Sequence, residues 1–311
     1  MERIVIAFGG NALLRSGDKA TYEIQLKRAK EAFEKLANVI QNNEVVISHG
    51  NGPQVGGILL QNEASKNITP SLPLHSCGAM SQGLIGEILL NAYDSVRSRI
   101  GFEKNASVIV TRTLVDKNDP AFTNPSKPIG PFYKKEEAEE LARINDWIVR
   151  EEKGKGYRRI VASPRPLEIV ERPAIISLLM SGLLPIASGG GGIPVVKSDH
   201  GYSGADAVID KDLASSFLAI TLKAQRFVIL TDVENVILDF RTSNEKKLGR
   251  LSAGELDKYY KEGHFPGGSM GPKVRAVVEF VKKTGGHASI GSLDQAEDVV
   301  IEKSGTQVFP D

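Results

Sequence analysis

Val-Ile-Asp-Lys-Asp-Leu-Ala, residues 208–214, is the stretch around which the rest of the chain is organised. Asp210 is a residue type that favours helix N-caps, and the residues after Asp212 are compatible with a helix that reaches Ile220. Lys211 is therefore predicted in the first turn of that helix, where the helix dipole and the exposed N–H groups attract anions. Two interpretations are open for this lysine taken alone: a lysine paired with its flanking aspartates, or a phosphate site.

A second lysine has the same predicted placement nearer the C-terminus. The glycine-rich run at 267–271 is followed by Pro272 and Lys273, and a helix is predicted over Val274–Lys283 with Pro272 at its first position. Lys273 is thus expected in the first turn of a helix, as Lys211 is. Two lysines placed in this way indicate one shared polyphosphate.

Apolar runs alternate with helical spacing along the chain, and this alternation predicts an α/β fold. Strands are predicted at Arg3–Phe8, Glu44–Ser48, Ser107–Thr111, Leu184–Ala187 and Arg226–Asp232. Helices are predicted at Thr21–Gln41, Gln54–Ala64, Cys77–Ile100 and Arg172–Ser181.

Glycine-rich turns follow several of these strands, and the carboxyl ends of parallel strands line the ligand crevice of an open sheet. The turn residues after the first two strands are therefore expected to be neighbours in space: Gly9, Gly10, Asn11, Gly50 and Asn51. Four glycines at 189–192 follow a later strand, and we interpret them as a backbone cradle for phosphate rather than a linker. The alternative for each turn is that glycine only makes it tight.

The alternation of predicted strands and helices is interrupted from Arg112 to Pro166. Six prolines punctuate this polar segment: Pro120, Pro125, Pro128, Pro131, Pro164 and Pro166. We interpret residues 112–166 as a lid subdomain inserted over the site, within a single domain of residues 1–311. Lys127 lies among the prolines, whose fixed φ angles would hold it in place. A solvated loop lysine is the alternative.

Composition argues for small-molecule partners. The net charge of +1 and the 25% of charged residues give no field that would attract nucleic acid or a membrane surface. The single cysteine, Cys77, excludes an intrachain disulfide, and we interpret it as a buried small hydrophobe. We see no N-terminal signal, no long apolar span and no ligand cluster at metal-binding spacing, so we expect a cytosolic protein without a protein-built metal site.

Three common nucleotide motifs are absent. The only Gly-Lys pair, at 154–155, is followed by glycine, which excludes a P-loop. Asp239-Phe240 is followed by Arg241 rather than the glycine of a protein-kinase motif. Residues 9–12 do not supply the glycine spacing of a Rossmann fingerprint.

The motifs present resemble those of the carbamate kinases in the amino-acid-kinase superfamily, over essentially the whole chain. The stretches that carry the resemblance are Ala7–Leu13, Ser48–Gly56, Ala79–Gly83, Val115–Phe122, Ser188–Pro194, Val208–Ala214 and Gly263–Lys273. Three positions depart from the family's usual residues: His75, Ala162 and Asn235. His75 is the departure that bears on function, through the loop beside the acceptor pocket or the dimer surface.

The resemblance implies a three-layer α/β sandwich, with an open, mainly parallel eight-stranded sheet and a protruding lid subdomain. It implies a homodimer that catalyses ATP + carbamate ⇌ ADP + carbamoyl phosphate with Mg²⁺. The implied catalytic residues are Lys211 and Lys273, which hold phosphoryl groups, Asp212, which orients them, and Lys127 on the lid. The implied substrate-side residues are Gly9, Gly10, Asn11, Gly50, Asn51, Gly189 and Gly190. The implied nucleotide-side residues are Thr231, Asp232, Met270, Gly271 and Lys273.

Two other functions are weighed beside this one. A sister kinase of the same fold would phosphorylate another small carboxylate or phosphate, such as an acylamino acid or isopentenyl phosphate. A nucleotide-binding sensor would bind without turnover, and the presence of Lys211, Asp212 and Lys273 argues against it. The residues are equally consistent with ATP synthesis and with supply of carbamoyl phosphate, because an enzyme catalyses both directions.

Overall fold

The computed structural model describes residues 1–10, 13–15, 17–240, 242–265 and 270–311. The strands in these residues are β1 (Arg3–Phe8), β2 (Glu44–His49), β3 (Ala106–Val108), β4 (Arg112–Leu114), β5 (Lys127–Tyr133), β6 (Ile148–Glu152), β7 (Gly156–Val161), β8 (Glu168–Ile169), β9 (Leu184–Ile186), β10 (Ile193–Ser198), β11 (Gly201–Gly204), β12 (Arg226–Thr231), β13 (Ile237–Leu238), β14 (Lys246–Lys247), β15 (Arg250–Ser252), β16 (His287–Ser292) and β17 (Thr306–Phe309). The α-helices in these residues are α1 (Tyr22–Asn42), α2 (Gly52–Ser65), α3 (Leu74–Ile100), α4 (Lys135–Asn145), α5 (Arg172–Met180), α6 (Lys211–Thr221), α7 (Ala253–Lys261), α8 (Met270–Thr284) and α9 (Ala296–Val300).

Eight strands form the main sheet, in the order β15-β17-β16-β12-β1-β2-β9-β3. The six strands from β16 to β3 are parallel to one another, and β17 pairs antiparallel with β16. Since β15 is parallel to β17, these two strands at one edge of the sheet run antiparallel to the other six. The prediction of an open, mainly parallel eight-stranded sheet is confirmed.

β1 shows why this is a three-layer fold. Its residues from Ile4 to Phe8 are at most 1% exposed, which is the pattern of a strand covered on both faces. Ile4, Ile6 and Phe8 pack in one core with residues of α1, α3 and α9. The alternate residues Val5 and Ala7 pack in a second core with residues of α5, α6 and α8.

Most helices begin within three residues of the start that the sequence predicts. Thr21, predicted as the first residue of α1, is its N-cap and accepts a hydrogen bond from the Ile24 amide. α3 begins at Leu74 rather than the predicted Cys77, directly after Pro73. Cys77 is fully buried beside Val55 and Ile58, as expected of a small hydrophobe. The Asn62 side chain donates to its sulfur.

The predicted strand Ser107–Thr111 is confirmed for its first two residues and wrong for the last three. β3 ends at Val108, and the chain then leaves the main sheet and enters β4, which belongs to a four-stranded sheet of order β11-β10-β4-β8. Gln82 of α3 fixes this crossing, because its side-chain oxygen accepts from the Thr111 amide and its nitrogen donates to the Thr111 carbonyl. A tertiary contact therefore overrides the continuous apolar run.

The proline-rich segment folds into structure of its own. β5, β7 and β6 form a three-stranded antiparallel sheet that packs with α4, and we call residues 127–161 the subdomain. Ile129 and Val161 of the subdomain pack against Leu74 at the start of α3. The division at 112 and 166 stays a prediction.

In the described parts of the chain, no helix combines the length and apolarity that crossing a bilayer requires.

Candidate functional site

A cavity of about 370 Å³ lies where the turns after β1 and β2 meet the first turns of α6 and α8, with β5 of the subdomain on one side. It brings together many of the residues predicted from sequence: Gly10, Gly50, Asn51, Lys127, Gly190, Lys211, Asp212 and Lys273. Other residues also line it that were not singled out as site residues, among them Arg158, Ile209 and Asp210. We call this the central cavity.

Three buried charges form its floor. Asp212 Oδ1 lies 2.8 Å from Lys211 Nζ, and Asp212 Oδ2 accepts from Lys273 Nζ at 3.1 Å. The side chains of Asp212, Lys273 and Lys211 are 4%, 7% and 15% exposed. The cluster therefore carries one net positive charge on largely buried side chains, where electrostatic interactions are stronger than at the surface.

The electrostatics of the cluster favour an ionised carboxylate. Burial raises the pKa of Asp212, but the two lysines together outweigh it and hold the pKa below its usual value. Burial lowers the pKa of Lys211, and the nearby Lys273 lowers it further, against the effect of Asp212. Lys211 Nζ forms an ion pair with Asp212, but it is a buried donor without an acceptor in hydrogen-bond geometry among the described residues. Such a group favours an anion in the cavity.

Small residues on α6 bring the two lysines to the same place. Ser216 Oγ donates to the Ala276 carbonyl at 2.7 Å and so joins α6 to α8. Ser215 Oγ lies 2.6 Å from Ser48 Oγ of β2. Both serines are at most 2% exposed, so α6 is fixed between the sheet and α8 by buried hydrogen bonds.

The start of α6 matches its prediction. Asp210 Oδ1 accepts from the amides of Asp212 and Leu213 at 2.9 and 3.3 Å, which is the geometry of an N-cap. Lys211 is the first residue of the helix. The flanking aspartates are not equivalent, because Asp212 pairs with Lys211 whereas Asp210 Oδ2 accepts from Lys127 Nζ at 2.7 Å. Sequence reasoning found the cap and missed the pair with Lys127.

The glycine turns after β1 and β2 are neighbours, as expected. A Cβ on Gly50 would lie 3.6 Å from both the Gly10 nitrogen and Lys211 Cδ. Asn51 Nδ2 donates to Ser81 Oγ of α3 at 2.8 Å, so this side chain is anchored at the cavity wall. Gly9 packs against the Leu230 carbonyl of β12 and does not line the cavity. Asn11 lies outside the described residues.

The four glycines at 189–192 lie in closely packed surroundings, and their role as a phosphate cradle stays a prediction. Gly190 lines the central cavity, with a φ of 64° and the Asn51 side chain where a Cβ would be. A Cβ at each of the other three would meet His49, the Ile209 carbonyl or the Thr113 hydroxyl at 2.0–2.5 Å. The run is thus a crossing point of several elements, and one of its glycines faces the cavity.

His49 at the end of β2 is a neutral imidazole beside the site. It is 2% exposed, and burial together with Lys211 lowers its pKa to about 4, against a hydrogen bond with the Gly50 carbonyl. Nδ1 lies 3.0 Å from that carbonyl oxygen, which assigns the proton to Nδ1. Neutral His49 adds no charge to the site.

The predicted nucleotide-side residues are spread around the central cavity. Met270 lines a second cavity of about 580 Å³ together with Val233, Asn235, Phe240 and Phe265. Gly271 lines a third, of about 890 Å³, which also borders Lys127 and Asp210. Thr231 ends β12, Asp232 follows it, and neither lines any of these three cavities. Thr231 Oγ1 donates to Asp232 Oδ1 at 3.0 Å.

His75, the departure from the family pattern, lies outside the central cavity. Its ring fills the place that a Cβ on Gly204 of β11 would take. The described residues contain no group of three or more His, Cys, Asp or Glu side chains able to hold a metal ion.

Comparison with known proteins gives consistent matches. The model of the amino acid kinase family matches residues 2–292. A carbamate kinase of Thermoplasma volcanium is 50% identical over 310 residues, covering 100% of both chains. One of Thermococcus kodakarensis is 48% identical over 312 residues, covering 99% of each. The solved structure of carbamate kinase from Giardia lamblia bound to AMP-PNP is 46% identical with a TM-score of 0.94, covering 100% of this chain and 99% of that one.

Proposed function

This chain belongs to the carbamate kinases of the amino acid kinase family, and from that premise we propose that it transfers a phosphoryl group reversibly between ATP and carbamate, giving ADP and carbamoyl phosphate. The observation that carries the proposal is the buried Lys211–Asp212–Lys273 cluster in the central cavity. Two ammonium groups fixed by one carboxylate suit a reaction whose charge accumulates on phosphoryl oxygens.

The chemistry needs no protein base. Carbamate is already an anion, so its oxygen attacks the γ-phosphorus of ATP directly. The new O–P bond forms as the bond from the γ-phosphorus to the β–γ bridging oxygen breaks, and the leaving electron pair stays on ADP. The protein contributes position and positive charge, and the neutral, buried His49 is not needed as a base.

We assign Lys211 and Lys273 to the transferred phosphoryl group and the nucleotide phosphates. Asp212 orients both ammonium groups, as its distances of 2.8 and 3.1 Å support. Lys127 reaches the same cavity from the subdomain and is assigned to the carbamate end.

Backbone groups complete the acceptor side. Gly10, Gly50, Asn51 and Gly190 line the central cavity and are assigned to it. Gly9 and Gly189 pack behind that wall and are assigned a supporting role.

The nucleotide side is assigned to Met270 and Gly271, with Thr231 and Asp232 at the end of the neighbouring strand β12. We propose that Mg²⁺ arrives on the nucleotide phosphates and neutralises part of their charge. Phosphate oxygens are ligands that Mg²⁺ prefers, and it commonly keeps several waters when it binds them.

Three further properties are proposed. The subdomain acts as a lid, since Lys127 extends from it to the site. The chain forms a homodimer, a proposal consistent with Met80 and Leu84, which are 45% and 42% exposed one turn apart on α3. A monomeric mass in sedimentation would refute the dimer. The compartment is cytoplasmic, which the single reduced cysteine permits.

The direct test is ATP formation from ADP, Mg²⁺ and carbamoyl phosphate. We expect Lys211→Ala and Lys273→Ala each to lower kcat about a hundredfold or more, the scale of losing one charge-stabilising donor. Lys283→Ala is the matched control, because Lys283 lies in the last turn of α8 and pairs with Glu279 at the surface. Wild-type turnover in both site variants would refute the roles of these lysines.

The same assay discriminates between the alternative functions. Phosphoryl transfer to an acylamino acid or to isopentenyl phosphate, with none to carbamate, would favour a sister kinase. Nucleotide binding without turnover on any acceptor would favour a sensor.

A further inference from the structure

Asp210 uses its two carboxylate oxygens for two different tasks. Oδ1 caps α6 through the amides of Asp212 and Leu213, whereas Oδ2 accepts from Lys127 Nζ at 2.7 Å. The residue is 9% exposed, so its orientation is fixed by packing as well as by the cap. One rigid group thus joins the start of α6 to strand β5 of the subdomain.

The cap alone does not require a carboxylate. Asn and Ser cap helices about as well as Asp does, since an N-cap needs only a side-chain oxygen that accepts from backbone amides. The negative charge matters for the other oxygen, because a lysine ammonium forms its stronger hydrogen bonds with ionised acceptors. The second task is therefore the one that distinguishes Asp210 from an ordinary cap.

Lys127 depends on this contact for its position. Its flexible side chain is 36% exposed, and Asp210 is its hydrogen-bond acceptor among the described residues. An ammonium has three N–H donors, so two remain for a ligand in the cavity. The pair borders both the central cavity and the 890 Å³ cavity, and so lies between the subdomain and the body of the protein.

We propose that Asp210 is a positioning residue for phosphoryl transfer. It holds the Lys127 ammonium in the central cavity, which Lys211 at the start of α6 also lines. The proposal rests on the proposed function, and on the role of Lys127 within it. Asp210 affects catalysis through the charge of Oδ2, which holds Lys127. The cap that Oδ1 forms is a separate contribution to stability. The two contributions are separable because each uses a different oxygen.

Asp210→Asn separates them, since the amide oxygen keeps the cap while the ion pair is lost. With ADP, Mg²⁺ and carbamoyl phosphate, we expect kcat/KM to fall about tenfold, mainly through the KM of carbamoyl phosphate. The KM of ADP should stay within about twofold and the Tm within about 2 °C of wild type. Lys127→Met should lower kcat/KM about a hundredfold.

Asp206→Asn is the matched control. Asp206 precedes α6 on the same segment and forms a similar ion pair, 2.7 Å from Arg159 of β7, but its side chain is 63% exposed and does not line the central cavity. We expect its kinetics to match wild type.

The double variant Lys127→Met/Asp210→Asn decides the matter. If Asp210 acts through Lys127, adding Asp210→Asn to Lys127→Met lowers kcat/KM no further, within about twofold. Multiplicative losses in an active enzyme, or wild-type kinetics of Asp210→Asn, overturn this inference alone. A wild-type protein that forms no ATP overturns both this inference and the proposed function.

Discussion

Replacing Asp212 by Asn keeps the shape of the side chain and removes the charge that holds two lysines. Lys211 Nζ and Lys273 Nζ lie 2.8 and 3.1 Å from the two carboxylate oxygens of Asp212. In the variant these ammonium groups would face each other, with an amide between them, in a site where Asp212 is 4% exposed. The perturbation is therefore electrostatic, with little change in packing.

Removing one partner of a buried ion pair costs about 3–5 kcal/mol, because the other charge is left uncompensated. We expect the lower end, about 3 kcal/mol, since both lysines border a cavity that admits water. Burial already lowers the pKa of Lys211, and loss of the Asp212 charge would lower it further. For a chain of this length the Tm should fall by about 5 °C, and kcat/KM by about a thousandfold.

Calorimetry and the ATP-forming assay measure the two effects on the same preparation. Asp206→Asn is again the control, because it removes one exposed ion pair and should change stability by no more than about 0.5 kcal/mol. An Asp212→Asn protein with the Tm of this control, or with activity within about threefold of wild type, would show that the carboxylate does not hold the cluster.

His49 and Gly190 give two more predictions. The pKa of His49 is lowered to about 4, so between about pH 6.5 and pH 4 the unfolded chain binds a proton that the folded chain does not, and stability falls on acidification by up to about 3 kcal/mol. His49→Gln should show a shallower loss than wild type in urea unfolding across this range; equal slopes contradict the assignment. Gly190→Ala puts a Cβ 2.2 Å from Asn51 Nδ2 at a φ of 64°, so it should lose at least about 1 kcal/mol more stability than Gly182→Ala, which has a φ of 74° and open space. Equal losses in urea unfolding would mean that the backbone angle, not the contact with Asn51, sets the cost.

The parts of the site that sequence predicted well depend on local chemistry. The cap by Asp210 and the placement of Lys211 involve residues within three positions of each other. The burial of β1 on both faces likewise follows from an uninterrupted apolar run. In such cases the hydrogen-bond partner or the buried face is fixed by the spacing of a few residues.

The parts that it missed depend on contacts between distant segments. Lys127 and Asp210 are separated by 83 positions, and no local pattern marks them as partners. Arg158 lines the cavity only because the subdomain sheet turns it there. The strand predicted through Thr111 failed for the same reason, since Gln82, 29 positions away, determines where the chain leaves the main sheet.

The glycine run at 189–192 also constrains the order in which the chain folds. It is hydrogen-bonded to Gln82 and Thr113, which lie 107 and 78 positions away along the chain. Closing such long loops costs chain entropy before any contact compensates for it. We therefore expect this crossing to form after the folding transition state, so that substitutions in it would speed unfolding more than they slow refolding. The wall of the central cavity would then be completed late in folding, after the sheet that supports it.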